Sequence, residues 1–137
     1  MNRDELKERT KQFALRVMRL VDALPKSAKG RALASQLTRS GTSVAANYRA
    51  ACRGRSRAEF IAKIGVVEEE ADETALWLEL IIADALLSKK KVQSLLDEAN
   101  ELVAIMAASY ISAQKNAVRN RALASQKPAI RNQQSKT

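Results

Sequence analysis

The chain has 137 residues, no histidine, one cysteine and a formal net charge of +9. That length is one domain's worth, and the charge points to polyanions or acidic surfaces as partners. Without histidine the commonest general acid/base, the commonest metal ligand and the Glu-x-x-His pairs of di-iron bundles are all excluded. The charge is also segregated. Residues 1–57 carry +10, residues 58–114 carry −7 and residues 115–137 carry +6. A single Cys52 has no intramolecular disulfide partner, and the chain opens Asn2-Arg3-Asp4-Glu5 with no apolar signal core, so a cytoplasmic location is expected. The most apolar window, Ala75 to Leu87, is broken by Glu79 and Asp84, which argues against a membrane span.

The first element is a helix over residues 4–24. Leu6, Thr10, Phe13, Val17, Leu20 and Leu24 recur at the alternating 4-and-3 spacing of a helix seam; Asn2 with Glu5 caps the start and Pro25 stops it. A second helix is expected over 28–52. Its Ser40-Gly41-Thr42-Ser43 stretch has poor helix propensity, yet Leu33, Leu37, Ser40, Val44, Asn47 and Ala51 keep the seam running through it. Small residues there allow a neighbouring helix to approach closely. Asn47, placed beside the core, calls for a hydrogen-bond partner and is read as a structural polar residue of the core.

On a helical wheel Leu33, Leu37, Val44, Tyr48 and Ala51 fall within about 60°, while Arg31, Arg39, Arg49 and Arg53 fall within about 80° on the opposite side. The second helix therefore has an apolar side and an arginine side. Arg53-Gly54-Arg55 forms a turn, and Ser56-Arg57-Ala58-Glu59 reads as a capping box that opens a third helix over 57–87. Phe60, Ile64, Val67, Ala71, Thr74, Leu78, Ile81 and Ala85 make its seam. A second apolar line, Ile61, Leu76, Leu80, Ile82, Ala83 and Leu86, asks for neighbours on two sides. A fourth helix follows from about Lys89 to Asn116 on Val92, Leu95, Ala99, Leu102, Met106, Ser109 and Ala113.

Four amphipathic helices joined by short turns define an all-α fold, an up-down-up-down antiparallel four-helix bundle over residues 1–116. Residues 117–137 are polar and basic, contain Pro128, and are expected to be a disordered, flexible tail. The hexapeptide Arg-Ala-Leu-Ala-Ser-Gln occurs at both 31–36 and 121–126. In an Ala-rich chain a single match of this kind is read as coincidence.

No Gly-rich phosphate loop, nucleophile elbow or paired-cysteine motif is present, and no catalytic, cofactor-binding or metal-binding residues are assigned. The run Glu68-Glu69-Glu70-Ala71-Asp72-Glu73 is read as a solvated or ion-paired face in preference to a Mg²⁺ site. The candidate site is a nucleic-acid interface of Arg31, Arg39, Arg49, Arg53, Arg55, Arg57, Arg119 and Arg121, because guanidinium forks bind phosphate bidentately and without regard to sequence. With five aromatics, mostly on seams, there is little for base stacking, so structured RNA or duplex backbone is the expected ligand. The alternative reading is an interaction module that docks an acidic protein. The basic first half and the acidic third helix are also complementary, which suits self-association in a ring.

Gln36-Leu37, Arg39, Ser43-Val44, Asn47, Arg55-Ser56 and Glu59-Phe60, with Glu73 and Leu78 later, resemble the bacterial four-helix-bundle proteins encoded in intervening sequences of 23S ribosomal RNA genes. The likeness runs from about Phe13 to Tyr110. It implies a homopentameric bundle with a central channel and no catalytic activity. The chain also resembles, more distantly, the basic accessory bundle that partners the reverse transcriptase of diversity-generating retroelements. After Asn47 the family usually continues Ile-Ala-Glu-Gly, whereas this chain has Tyr48-Arg49-Ala50-Ala51, replacing an acid with local positive charge.

Overall fold

The computed structural model describes the backbone of residues 1–135 and the side chains of residues 1–126. Four helices, α1 (Arg3–Val21), α2 (Ala28–Cys52), α3 (Arg57–Ala83) and α4 (Lys89–Ser135), follow one another with no strand among the described residues. Each packs against its chain neighbours, and α1 closes the bundle against α4. Cross-helix contacts give the direction: Val17 meets Gly41, Ser40 meets Thr74, Gly65 meets Tyr110 and Arg16 meets Ser94. Lys29 at the start of α2 pairs with Asp84 at the end of α3, and Lys7 and Lys11 in the first half of α1 lie beside Ala45 and Arg49 near the end of α2, so neighbouring helices run antiparallel in an up-down-up-down arrangement.

The seams are the core. Phe13, Val17, Leu37, Val44, Ile64, Val67, Leu78, Ile81, Val92, Leu102 and Met106 are essentially inaccessible. At roughly 1.5–3 kcal/mol for each fully buried aliphatic or Phe side chain, this burial supplies the main favourable contribution to folding. The three helix starts with a resolved cap use the expected chemistry. Asn2, Ser27 and Ser56 accept from the backbone N–H of Glu5, Gly30 and Glu59, and Glu59 reaches back one residue beyond the cap, accepting from the N–H of Arg55 at 2.6 Å in place of the Ser56 N–H of a strict capping box.

α2 is unbroken through Ser40-Gly41-Thr42-Ser43, and tertiary contact is what overrides the weak propensity. A methyl on Gly41 would lie 2.8 Å from Val17 Cγ1, so the missing side chain is what lets α1 and α2 approach here. Beside it Thr74 Oγ1 donates to Ser40 Oγ at 2.7 Å and to the carbonyl of Glu70 at 2.8 Å, a polar tie between α2 and α3 inside the core. Asn47 is half-buried and spends its amide on its own helix, donating to the Ser43 carbonyl at 3.0 Å and to Ser43 Oγ at 2.8 Å. The polar contact that crosses between helices in the core is therefore Ser40–Thr74.

Three boundaries differ from the sequence expectation. α1 ends at Val21 instead of residue 24, and the N–H groups of Ala23 and Leu24 donate to the carbonyls of Leu20 and Val21 in the turn that follows. α3 stops at Ala83, short of residue 87: Ala85 takes φ 54°, its N–H returns to the Ile82 carbonyl, and the Leu86 N–H returns to Ile81, the Schellman pattern that ends a helix. α4 runs past Asn116 to Ser135. Residues 117–126, Ala-Val-Arg-Asn-Arg-Ala-Leu-Ala-Ser-Gln, are rich in helix formers, and this local propensity carries the helix onward. From Val118 to Gln126 every residue is exposed, so this stretch projects beyond the packed bundle.

Candidate nucleic-acid interface

The eight arginines singled out by charge and spacing do not form one surface. Arg31 lies in the first turns of α2, where its guanidinium donates to the Lys26 carbonyl at 2.9 Å, at the end of the bundle away from the α2–α3 turn. Arg39 is engaged by α3. It bonds Glu70 at 3.1 Å and also Glu73, and both carboxylates hold its guanidinium above the ordinary arginine value, the Glu73 hydrogen bond most of all. Phosphate would have to displace two carboxylates to reach it.

The remaining six collect towards one end, around three clefts. Arg49 lines a groove between α1 and α2 with Lys7, Lys11, Ala45 and Ala46. Arg53 is exposed at the C-cap of α2. Arg55 and Arg57, on the turn into α3, border a cleft of about 610 Å³ with Arg3, Tyr48, Phe60 and Asn116. Arg57 also borders a third and larger cleft, where Lys115, Arg119 and Arg121 of α4 meet it. Among the described residues no carboxylate lines any of the three, although beside them Asp4 pairs with Lys7 at 3.7 Å and Glu59 accepts from the backbone N–H of Arg55. Among the described residues, none of Arg49, Arg53, Arg55, Arg57, Arg119 and Arg121 has an ion-pair partner.

Local structure explains the placement. Arg3, Lys7 and Lys11 are spaced i, i+4, i+8 on α1 and so share one face, which antiparallel packing lays against the C-terminal half of α2. This trio was the part of the site that sequence reasoning missed, although the spacing was available. Arg3 is also stacked over the Phe60 ring at 4.6 Å, which fixes it beside the turn. The α1 and α3 N-termini both open at this end and add the positive ends of two helix dipoles.

Cys52 is half-buried below the turn. Burial, and then a hydrogen bond with Cys52, push the Tyr48 hydroxyl above its ordinary range, so Tyr48 is a neutral member of the core. Among the described residues no group of histidine, cysteine or acidic side chains is placed to hold a metal ion, and no helix is long and apolar enough to cross a membrane.

The chain is thus an antiparallel all-α four-helix bundle with basic side chains gathered at the α2–α3 turn end. Residues 4–108 match the model of the family described as "23S rRNA-intervening sequence protein", and the chain belongs to that family. It is also similar to a crystal structure from Bacteroides thetaiotaomicron, described as a protein with unknown function from the S23 ribosomal protein family. The two share 33% identity and a TM-score of 0.71, over 76% of this chain and 96% of that one. No curated protein sequence matches the chain.

Proposed function

We propose that the protein is a non-catalytic, self-associating RNA-backbone-binding protein that acts in the cytoplasm on ribosomal RNA or a ribonucleoprotein. The observation that carries this reading is the basic end, where Arg3, Lys7 and Lys11 of α1, Arg49 of α2, Arg53 and Arg55 of the turn and Arg57 at the start of α3 collect around clefts lined by no carboxylate among the described residues. Of these seven cations only Lys7 has an ion-pair partner among the described residues, the exposed Asp4 at 3.7 Å, and the surface they form is suited to a phosphate chain and poor at reading bases. The family's link to ribosomal RNA genes and the S23 ribosomal protein family of the structural neighbour support RNA over other polyanions. Arg39 is left out of the binding set because Glu70 and Glu73 occupy it, and Arg31 because it lies at the far end. Self-association multiplies the contacts, and a pentamer is the assembly that the family resemblance favours.

The test is filter binding to a structured RNA across a salt series, comparing the native protein with Lys11→Glu/Arg49→Glu. Affinity that falls steeply with salt, and a shallower slope for the variant, supports the proposal. Equal, salt-independent binding by both proteins contradicts it.

A further inference from the structure

Two apolar patches on this chain are left open by the described residues, and their flanking charges are opposite. The first is the cleft between the start of α3 and the projecting part of α4. Ile61, Tyr110, Ile111 and Val118 form its floor, with Ile111 53% and Val118 58% exposed. Its rim is basic throughout, from Arg57, Lys115, Arg119 and Arg121.

The second patch is a stripe on the outer face of α3. Glu69, Asp72, Leu76, Glu79, Leu80 and Ala83 are all exposed and fall within an arc of about 100°, opposite the α3 seam. Leu76 is 47% and Leu80 42% exposed. The second apolar line of α3 asked for a partner, and at these two positions it is only partly covered: Leu80 borders a shallow groove with Lys29, Ala32 and Leu33 of α2 and still leaves much of its side chain exposed.

We infer that the acidic Leu76–Leu80 stripe of one copy docks in the basic cleft beneath the α4 projection of a second copy. Apolar floor meets apolar stripe, and the lysine and arginine rim meets Glu69, Asp72 and Glu79, so both halves of the contact are neutralised together. The two surfaces differ and lie on one chain, so the contact is heterologous, and each added copy leaves one free cleft and one free stripe until a ring closes. The family match ends at residue 108, so the α4 wall of the cleft, from Tyr110 onward, lies outside the shared segment. This interface deepens the self-association proposed above and rests on it.

The experiment is solution mass by light scattering on the full chain at low and high salt, with two variants, Ile111→Asp/Val118→Asp and Leu76→Asp/Leu80→Asp. All four positions are exposed in the single chain, so the helices form without them, and far-UV circular dichroism checks that they do. The expected result is an oligomer for the native chain that shrinks in high salt and a monomer for each variant alone. An equimolar mixture of the two variants forms a dimer and stops there, because only one stripe and one cleft remain intact. A native chain that is monomeric at both salts overturns the self-association reading and this interface together. A native oligomer whose mass either variant retains, or two monomeric variants that do not pair on mixing, overturns the interface and leaves self-association standing.

Discussion

Arg9 of α1 grips Glu98 of α4 with two parallel hydrogen bonds, Nε to Oε2 at 2.8 Å and Nη2 to Oε1 at 2.6 Å, and reaches Glu101 one turn on. Both partners are largely shielded, with side chains 25% and 15% exposed. The bond to Arg9 holds Glu98 below its ordinary carboxylate range, against the opposing effect of burial. This fork joins the first helix to the last, where the bundle closes.

Replacing Arg9 by alanine is expected to cost about 1–3 kcal/mol, because it removes charge-assisted bonds and leaves Glu98 partly buried without its cation. The sign with pH follows from the depressed Glu98. Its contribution is fully present above the ordinary carboxylate value near 4.5 and is lost as pH falls through the lower folded value. Urea unfolding of native and Glu98→Gln proteins therefore differs at neutral pH and converges in acid. A gap that is constant with pH argues against the assignment.

Gly41→Ala is expected to destabilise. Alanine gains about 1 kcal/mol in helix propensity, but its methyl would sit 2.8 Å and 2.9 Å from the two γ-carbons of Val17, a stiff and fully buried side chain. Overpacking of this kind costs about 1–3 kcal/mol. If the contact is the cause, the double variant Val17→Ala/Gly41→Ala is more stable than the sum of the two single effects predicts, which a double-mutant cycle measures directly.

Ala85 sits at φ 54°, a conformation that costs an L-residue about 1–2 kcal/mol and glycine little. Ala85→Gly should accordingly raise stability by up to about 1 kcal/mol, after the glycine's greater unfolded-state entropy is subtracted. A drop in the thermal midpoint would show that the α3–α4 turn is held some other way.

Much of the bundle was legible because each helix carries its seam in register. Phe13, Val17, Leu37, Val44, Ile64 and Leu102 could be assigned to the core from spacing alone, and α2 could be carried through Ser40-Gly41-Thr42-Ser43 because Leu37 and Val44 stay in phase across it. The end of α3 was not legible, since Ala85 reads as a helix former and only its backbone angle ends the helix. The end of α4 was misplaced because composition was weighed for burial, while the helix past Asn116 depends on local propensity. For the site, Arg49, Arg53, Arg55 and Arg57 were visible as a run. That Arg39 is taken by Glu70 and Glu73 was not, because those acids lie 31 and 34 residues away and face it only after α2 and α3 pack.

Arg39 and Arg49 separate the two roles of arginine on α2. Arg39→Gln is expected to leave RNA affinity and its salt dependence unchanged, because the side chain already serves Glu70 and Glu73. Arg49→Gln should weaken binding to all RNA sequences alike and lower the salt slope by about 1. The reverse pattern would move the interface to the middle of the α2–α3 face.

The most direct measurement for the basic end is the slope of log affinity against log salt for a structured RNA, native against Lys11→Glu/Arg49→Glu. The expected result is a steep negative slope for the native protein that becomes shallower by about 1.4–1.8 in the variant, about 0.7–0.9 for each of the two phosphate contacts removed. Identical slopes, or no binding by the native protein at low salt, would contradict the assignment of this end to the RNA backbone.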